Sequence, residues 1–124
     1  MQRRTPQRDA IQGTLERADR PLSPQEIHEG ASREVENLGL ATVYRNVKAM
    51  VEEGWLQTVD LPGAPSRYEL ADKEHHHHFH CNRCDRVFEV EDCPGSLKGL
   101  APEGFEAESH EIILYGRCPE CVEA

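Results

Sequence analysis

Two pairs of cysteines lie in the last third of the chain, each with two residues between its members. They are Cys81, Cys84, Cys118 and Cys121. Each pair can sit on a tight turn, and two such turns can place four thiolates around one tetrahedral zinc ion. The alternatives are a redox-active pair of the thioredoxin type and disulfide bonds. The chain has 5 cysteines, and an odd number fits a disulfide framework poorly. The spacing therefore predicts a structural zinc site.

A run of histidines leads into the first cysteine pair. If this segment is a β-strand, successive side chains point to opposite faces of the sheet. His76, His78 and His80 would then share one face, and His75 and His77 would share the other. Imidazole binds zinc, iron and other first-row metals. The run therefore predicts two metal sites on opposite faces, against the alternatives of a purification tag or a solvated polar strand.

Four further side chains could complete these two sites: Glu69, Glu89, Cys93 and His110. Each has a plainer interpretation. The carboxylates could be solvated, the distant histidine could be a satisfied core residue, and the fifth cysteine could be a small buried thiol. A thiolate is a softer donor than a carboxylate, and it favours zinc over manganese or magnesium. As a ligand, Cys93 would therefore indicate zinc.

The first half of the chain has the element order of a winged helix-turn-helix. Apolar periodicity and capping residues predict helices over 5–18, 23–31 and 41–53. Two strand-like segments follow, over 55–59 and 66–70, and the prolines and glycine between them predict a turn. Three helices followed by a hairpin, the wing, predict a small DNA-binding domain.

The predicted third helix has one apolar and one polar side. Its apolar residues recur at helical spacing: Val43, Val47, Met50 and Val51. Its other side carries four residues suited to DNA: Thr42, Tyr44, Arg45 and Lys48. In a helix-turn-helix, the first turn of this helix faces base edges in the major groove, and arginines bind phosphate or guanine. We expect DNA contacts here, against the alternative of an ordinary solvated helix.

The second half of the chain predicts a separate α/β unit. Strands are expected over 75–81 and 87–90, and a short helix is expected to begin at Cys93. Further strand material is expected over 105–115, with a buried apolar run at 112–114. A polar stretch marks the boundary between the halves, which are therefore expected to form domains 1–71 and 72–124.

Length and charge set limits on both halves. Each half of this 124-residue chain is short of core, so we expect a structural metal or a dimer partner to add stability. The chain carries 9 basic and 10 acidic residues up to residue 68, and 5 basic and 13 acidic residues beyond it. The acidic second half would attract cations, and the arginine-richer first half leaves room for a basic surface.

Several classes of protein are disfavoured. The sequence has no stretch of about 20 apolar residues and no signal peptide, so we expect a cytoplasmic protein without membrane contact. A catalytic zinc site needs three protein ligands, an open position and a general base. The sequence contains neither a His-Glu-x-x-His motif nor a His-x-Glu paired with Pro-Cys-x-x-Cys. We therefore expect neither an enzyme nor a small-molecule substrate.

Several motifs, in order, resemble the ferric uptake regulator (Fur) family over nearly the whole chain. They are Thr5-Pro6-Gln7-Arg8, Leu22-Ser23-Pro24-Gln25-Glu26-Ile27, Gly39-Leu40-Ala41-Thr42-Val43-Tyr44-Arg45, the histidine run, both cysteine pairs and Leu114-Tyr115-Gly116-Arg117-Cys118. The resemblance implies an α+β fold, with an N-terminal winged helix-turn-helix followed by a small C-terminal α/β dimerisation domain. It also implies a homodimer that binds double-stranded operator DNA and represses metal-uptake genes when metal is bound.

The resemblance also implies roles for individual residues. The structural zinc ligands would be Cys81, Cys84, Cys118 and Cys121. The regulatory ligands at the hinge between the domains would be Glu69, His76 and His78. The ligands of a second site, in the dimerisation domain, would be His75, His77 and His110. The DNA-contacting residues would be Tyr44 and Arg45, with Thr42 and Arg8 as neighbours.

Two positions depart from the family pattern. Iron- and peroxide-sensing members have a histidine just before the Leu-Ser motif, where this chain has Pro21. An acidic residue expected near Ser96 is absent, and Cys93 lies one turn earlier. Both departures favour the zinc uptake regulators (Zur-like) of the family, with Zn²⁺ as the regulatory ion. Sensing of Fe²⁺, Mn²⁺ or peroxide within the family, and a non-sensing zinc-ribbon interaction module, are the alternatives.

Overall fold

The computed structural model describes residues 5–95 and 97–123. The chain divides into two compact units, Met1–Lys73 and Glu74–Ala124. This division lies close to the boundary expected after residue 71. None of the helices within the described ranges combines the length and the apolar character that crossing a membrane demands.

Three helices and a two-stranded hairpin make up the first unit. They are α1 (Pro6–Ala18), α2 (Pro24–Ala31), α3 (Leu40–Glu52), β1 (Leu56–Val59) and β2 (Arg67–Leu70). Each end lies within one residue of the predicted one, so the winged helix-turn-helix is confirmed. The two strands pair antiparallel, with Leu56 opposite Leu70.

Local hydrogen bonds define where these helices begin. The Thr5 hydroxyl accepts from the Arg8 backbone N–H at 3.1 Å, which caps α1. Ser23 and Glu26 form a reciprocal capping box at the start of α2, and Pro24 occupies the first helical position. Such caps satisfy backbone N–H groups that have no partner inside the helix. The sequence thus sets the starts of α1 and α2 locally.

The core of the first unit lies between the three helices and the hairpin. Its fully buried residues include Ile11, Leu15, Ile27, Val43, Val47 and Met50. The predicted apolar side of α3 therefore faces the core, with Val51 only half-buried. Leu22 and Tyr68 exchange two backbone hydrogen bonds at 2.9 Å, which attach the hairpin to the segment before α2. The core therefore fixes the apolar side of α3 and leaves its polar side exposed to solvent.

The second unit is built on a three-stranded sheet. Its elements are β3 (His77–Cys81), β4 (Val87–Val90), a 3₁₀ turn (Lys98–Leu100), β5 (Ile113–Gly116) and α4 (Pro119–Glu123). The strand order is β4-β3-β5, with β3 antiparallel to β4 and parallel to β5. The central strand therefore carries His77, His78, His80 and the first cysteine, whereas His75 and His76, which were expected in this strand, precede it.

Several expectations for the second unit are wrong. The segment that begins at Cys93 is irregular, and only Lys98–Leu100 forms a helical turn; the position near Ser96 lies outside the described residues. The strand expected over 105–115 is reduced to β5. The apolar run at 112–114 is not buried, since Leu114 is 47% exposed. Apolar composition alone does not distinguish a core strand from an edge strand, and β5 lies at an edge of the sheet.

Candidate metal centres and nucleic-acid surface

The four paired cysteines converge at one end of the sheet. Each can offer a sulfur atom, and these atoms lie within 4.8 Å of one another, with Cys84 Sγ and Cys118 Sγ 3.8 Å apart. In a tetrahedral site with Zn–S bonds of about 2.3 Å, neighbouring sulfurs are about 3.8 Å apart. All four are free thiols, and Cys81, Cys118 and Cys121 are buried. Donor type, spacing and burial fit a structural zinc ion.

Hydrogen bonds favour the thiolate form at the first cysteine pair. Backbone N–H donation from Cys84, reinforced by Cys118 and opposed by burial, lowers the pKa of Cys81 to about 5. Burial acts to raise the pKa of Cys84, but hydrogen bonds from the backbone and side chain of Arg86 outweigh it and the net pKa is lowered. Burial raises the pKa of Cys121 to about 12. Binding of a metal ion requires that every sulfur be deprotonated, so it is coupled to proton release here.

A second cluster lies on one face of β3, and we call it the cysteine–histidine cluster. It consists of His75, His77, Cys93 and His110. Cys93 Sγ is 3.3 Å from Nε2 of His77 and 3.3 Å from Nε2 of His110, and Nε2 of His75 is 3.2 Å from Nε2 of His110. Tetrahedral zinc with nitrogen and sulfur ligands sets such atoms about 3.3–3.6 Å apart. The four donors are therefore spaced as ligands of one ion.

His77 is the most buried member of this cluster, 2% exposed. Burial first, and then repulsion from His75 and His110, lower the pKa of His77 and keep its ring neutral. The Ile112 backbone N–H donates to its Nδ1 at 3.1 Å. In that tautomer Nε2 carries the hydrogen and faces Cys93. Binding a metal through Nε2 requires the other tautomer, in which Nδ1 carries the hydrogen and Ile112 loses this acceptor.

A third cluster lies on the opposite face, where β3 pairs with β4, and we call it the carboxylate–histidine cluster. Nε2 of His76 is 3.2 Å from Nε2 of His78 and 3.2 Å from Oε2 of Glu89. Nδ1 of His76 is 2.7 Å from the Glu74 carbonyl, to which only a protonated Nδ1 can donate. In the neutral ring Nε2 is then the unprotonated nitrogen, which is the form that binds a metal. Glu89, a weak candidate in the sequence, is thus placed beside both histidines.

Of the other residues considered for this cluster, His80 has a different neighbour within its own unit, and Glu69 belongs to the first unit. His80 follows the alternation of the strand, but its Nε2 is 2.6 Å from Asp85 Oδ1, and its ring packs beside Tyr115. Glu69 lies on β2 in the first unit, where it is 2% exposed and its carboxylate accepts a hydrogen bond from Gln57. Alternation along the strand therefore predicts the face of a histidine but not its partner.

The exposed side of α3 carries the expected nucleic-acid residues. Tyr44 is 44% exposed, Arg45 and Lys48 are exposed, and Thr42 is half-buried. Nη2 of Arg45 donates to the Thr42 hydroxyl at 3.1 Å, which holds the guanidinium along the helix surface. One aromatic and two cationic groups therefore share a face that the core does not use.

Arg8, which the resemblance places beside the DNA-contacting residues, is largely buried in the first unit. It is 8% exposed, and its Nη2 forms an ion pair with Glu53 Oε2 at 2.6 Å. This pair ties α1 to the residue that follows α3. The contact joins residues far apart in sequence, and no local spacing indicates it.

A winged helix with a cationic recognition helix, followed by a sheet with three clusters of metal-ligand side chains, defines a metal-responsive transcription regulator. The model of the ferric uptake regulator family matches residues 2–115, and the chain belongs to that family. Regulators of this family bind DNA and form dimers, and they are transcription factors rather than enzymes.

Similar proteins include regulators of different metals. A zinc uptake regulation protein of Mycobacterium tuberculosis is 37% identical, and the match covers 96% of this chain and 94% of that protein. A ferric uptake regulation protein of Campylobacter jejuni is 33% identical over 94% of this chain and 78% of its own. Among solved structures, a zinc-bound manganese uptake regulator is 29% identical, with a TM-score of 0.85 over 94% of this chain and 91% of its own. The fold and class are shared across metals.

Proposed function

We propose that this chain is a zinc-responsive repressor that binds operator DNA as a homodimer and controls metal-uptake genes. The observation that carries the proposal is the position of Cys93, whose sulfur lies 3.3 Å from two imidazole nitrogens of the cysteine–histidine cluster. Three imidazoles and one thiolate suit tetrahedral Zn²⁺, whereas Mn²⁺ and Mg²⁺ favour oxygen ligands and octahedral geometry. The relative named as a zinc uptake regulation protein supports the same metal.

The three clusters would have different functions, one structural and two regulatory. The four paired cysteines are closed around one position and suit a permanently held Zn²⁺, which would stabilise a unit with little apolar core. The two histidine clusters include more exposed side chains, so exchange with cellular metal is assigned to them. Structural and regulatory functions would then reside in separate donor sets.

The hinge site would couple metal to DNA affinity. By its position in the family pattern, Glu69 on the wing would bind the same ion as His76 and His78 of the second unit. Ligation by residues of both units would restrict their relative motion and so set the spacing of the two α3 helices in a dimer. A metal favours DNA binding only through tighter binding to the DNA-competent arrangement, and a tenfold preference corresponds to about 1.4 kcal/mol per site.

Dimerisation is supported by the surface of the second unit. Five large apolar residues are exposed there: Leu100 (78%), Phe105 (71%), Leu114 (47%), Tyr115 (51%) and Val122 (59%). Two of them lie on the edge strand β5. An exposed apolar surface beside an unpaired strand edge is a typical subunit interface.

On the DNA side, Tyr44, Arg45 and Lys48 would contact the duplex, and Thr42 would hold Arg45 in position. The burial of Arg8 and its ion pair with Glu53 favour a role in holding α3 rather than in binding phosphate directly. Because phosphate contacts dominate such binding, affinity for the operator should fall steeply with salt.

The deciding experiment is a titration of fluorescent promoter duplex with protein that retains only its tightly held zinc. Zn²⁺, Fe²⁺ and Mn²⁺ are added separately, bound metal is counted, and dimer mass is measured in parallel. We expect Zn²⁺ to raise DNA affinity at the lowest free-metal concentration, with more than one metal bound per chain. Equal DNA binding with and without added metal would contradict the proposal.

A second candidate is a response to Mn²⁺ or Fe²⁺ through the carboxylate–histidine cluster. Glu89 Oε2 lies 3.2 Å from His76 Nε2, and carboxylate oxygen with imidazole nitrogen suits these harder ions. The similarity to a solved manganese uptake regulator supports this second candidate. If Mn²⁺ or Fe²⁺ activates DNA binding at lower free-metal concentration than Zn²⁺ does, this candidate replaces the first.

A further inference from the structure

The side chain of Arg86 connects the two cysteine pairs. Its Nε donates to Cys84 Sγ at 3.2 Å, on the first pair. Its Nη2 bonds Glu120 Oε2 at 2.6 Å, and Glu120 lies between Cys118 and Cys121 of the second pair. One guanidinium therefore spans both turns that hold the sulfur atoms.

The position of this contact matters because the four cysteines are not equally protected. Cys81, Cys118 and Cys121 are buried, whereas Cys84 is half-buried. Cys84 is thus the sulfur through which protons, chelators or electrophiles can most readily reach the site. A thiolate that accepts a charge-assisted hydrogen bond is less readily protonated, and it is a weaker nucleophile.

The electrostatics of the site give the guanidinium a second role. Four thiolates around Zn²⁺ carry a net charge of about −2. The Arg86 guanidinium at Cys84 offsets part of that charge, and its ion pair with Glu120 fixes its direction. The guanidinium carbon also lies 5.8 Å from the centre of the Phe88 ring. Its planar fork is therefore held in one orientation, which a lysine ammonium would not reproduce.

We propose that Arg86 and Glu120 are positioning residues for the structural zinc site: together they hold Cys84 in place, join the two cysteine turns and slow the release of zinc. The inference rests on the assignment of zinc to the four cysteines, not on the metal sensed by the histidines. Outer partners of metal ligands commonly alter metal affinity by about 10–100-fold.

The test compares Arg86→Met with Arg83→Met in the zinc-loaded full-length protein. Arg83 also lies in the first cysteine turn, and its side chain is exposed, so its substitution is the matched control. Zinc release into excess chelator is followed with a colorimetric zinc indicator. We expect Arg86→Met to release zinc at least about tenfold faster than Arg83→Met, with Glu120→Gln and Arg86→Lys between them. Equal release from Arg86→Met and Arg83→Met would overturn the proposal.

A second readout separates positioning from simple unfolding. Alkylation of each cysteine by iodoacetamide is followed by mass spectrometry during zinc release. We expect Arg86→Met to accelerate alkylation of Cys84 first, since that sulfur loses its guanidinium donor. If all four cysteines of the variant react together, the variant has merely unfolded the site and the positioning role is wrong. If the unsubstituted protein holds no zinc at the four cysteines when purified, the zinc assignment itself fails.

Discussion

The Ile112 backbone N–H donates a hydrogen bond to Nδ1 of His77, and this bond opposes the tautomer that a metal needs at Nε2. Nε2 of His110 lies 3.3 Å from Sγ of Cys93, and within the described residues Nδ1 of His110 accepts no such bond. A hydrogen bond of this kind contributes about 1 kcal/mol, or roughly a fivefold change in an equilibrium constant. The cysteine–histidine cluster is therefore a set of unequal donors.

The first prediction follows from this inequality. His77→Gln should reduce zinc affinity at the cluster about fivefold less than His110→Gln, because ligation by His77 gives up the Ile112 hydrogen bond. Chelator-competition titration of the two variants measures their zinc affinities. Each variant loses one imidazole, so each is the control for the other. A larger loss of zinc affinity in His77→Gln than in His110→Gln would show that the Ile112 hydrogen bond does not weaken metal binding by His77.

Cys93→Ser should weaken regulatory zinc while leaving one tightly held zinc per chain. The physical reason is the loss of the only soft donor in the cluster, and we expect a loss of about 100-fold in affinity, similar to other strong perturbations of a metal site. Metal counting after dialysis against a weak chelator checks the stoichiometry. Cys84→Ser is the contrasting variant and should lose the tightly held zinc instead. Unchanged zinc affinity in Cys93→Ser would remove the main support for zinc sensing.

The stability of protein free of regulatory metal should fall as pH decreases below about 6.5, the ordinary pKa of histidine. Burial lowers the pKa of His77, so the folded chain keeps this ring neutral while the unfolded chain takes up a proton. The unfolded state then binds more protons, and stability declines from the unfolded pKa down through the lower folded one. Urea unfolding at several pH values, with His77→Gln as the comparison, measures the contribution. A variant with an identical pH profile would count against it.

Arg45→Ala should weaken operator binding by about 1–3 kcal/mol. Lys48→Ala should weaken it less, and should reduce by about 1 the slope of the logarithm of the binding constant against the logarithm of the salt concentration. Both side chains lie on the exposed side of α3. Arg33→Ala is the control, because Arg33 is exposed and lies outside α3. Fluorescence anisotropy at several salt concentrations distinguishes the three. Similar losses for Arg33→Ala and Arg45→Ala would indicate a diffuse charge effect instead of a recognition helix.

Arg8→Met should lower the free energy of unfolding by about 1 kcal/mol, since it removes an ion pair whose Glu53 carboxylate is still partly solvated. Denaturant unfolding of Arg8→Met, Glu53→Gln and the double variant forms a thermodynamic cycle with a matched loss of each partner. A coupling energy near zero between Arg8 and Glu53, together with a weaker salt dependence of operator binding in Arg8→Met, would indicate that Arg8 contacts DNA instead.

Much of the first unit could be predicted because its signals are local. The capping box of Ser23 and Glu26 and the helical spacing of Val43 and Val47 are readable within a few residues. Likewise, two Cys-x-x-Cys pairs define a metal site by spacing alone. The ion pair of Arg8 with Glu53 could not be predicted, because it depends on how α1 packs beside α3.

In the second unit, the sequence pattern does not predict the neighbour of His80 or the exposure of β5. Alternation placed His80 with His76 and His78, yet each two-residue step moves a side chain about 6.6 Å along the strand. At that distance Asp85, not the cluster, becomes the neighbour of His80. The apolar residues of β5 indicate burial, but the sequence does not show whether the covering surface belongs to the same chain or to another. Within one chain Leu114 stays exposed.

The central strand β3 supplies donors to all three clusters: His77 on one face, His78 on the other and Cys81 at its end. Inserting or deleting a single residue in this strand would exchange the two faces and misplace the cysteine at once. Substitutions that preserve spacing can change which metal is favoured, as we propose for the thiol at position 93, whereas a change in the length of the strand would disturb all three clusters together. Evolution of metal preference on this framework should therefore proceed by replacement of side chains, with the length of the histidine segment held constant.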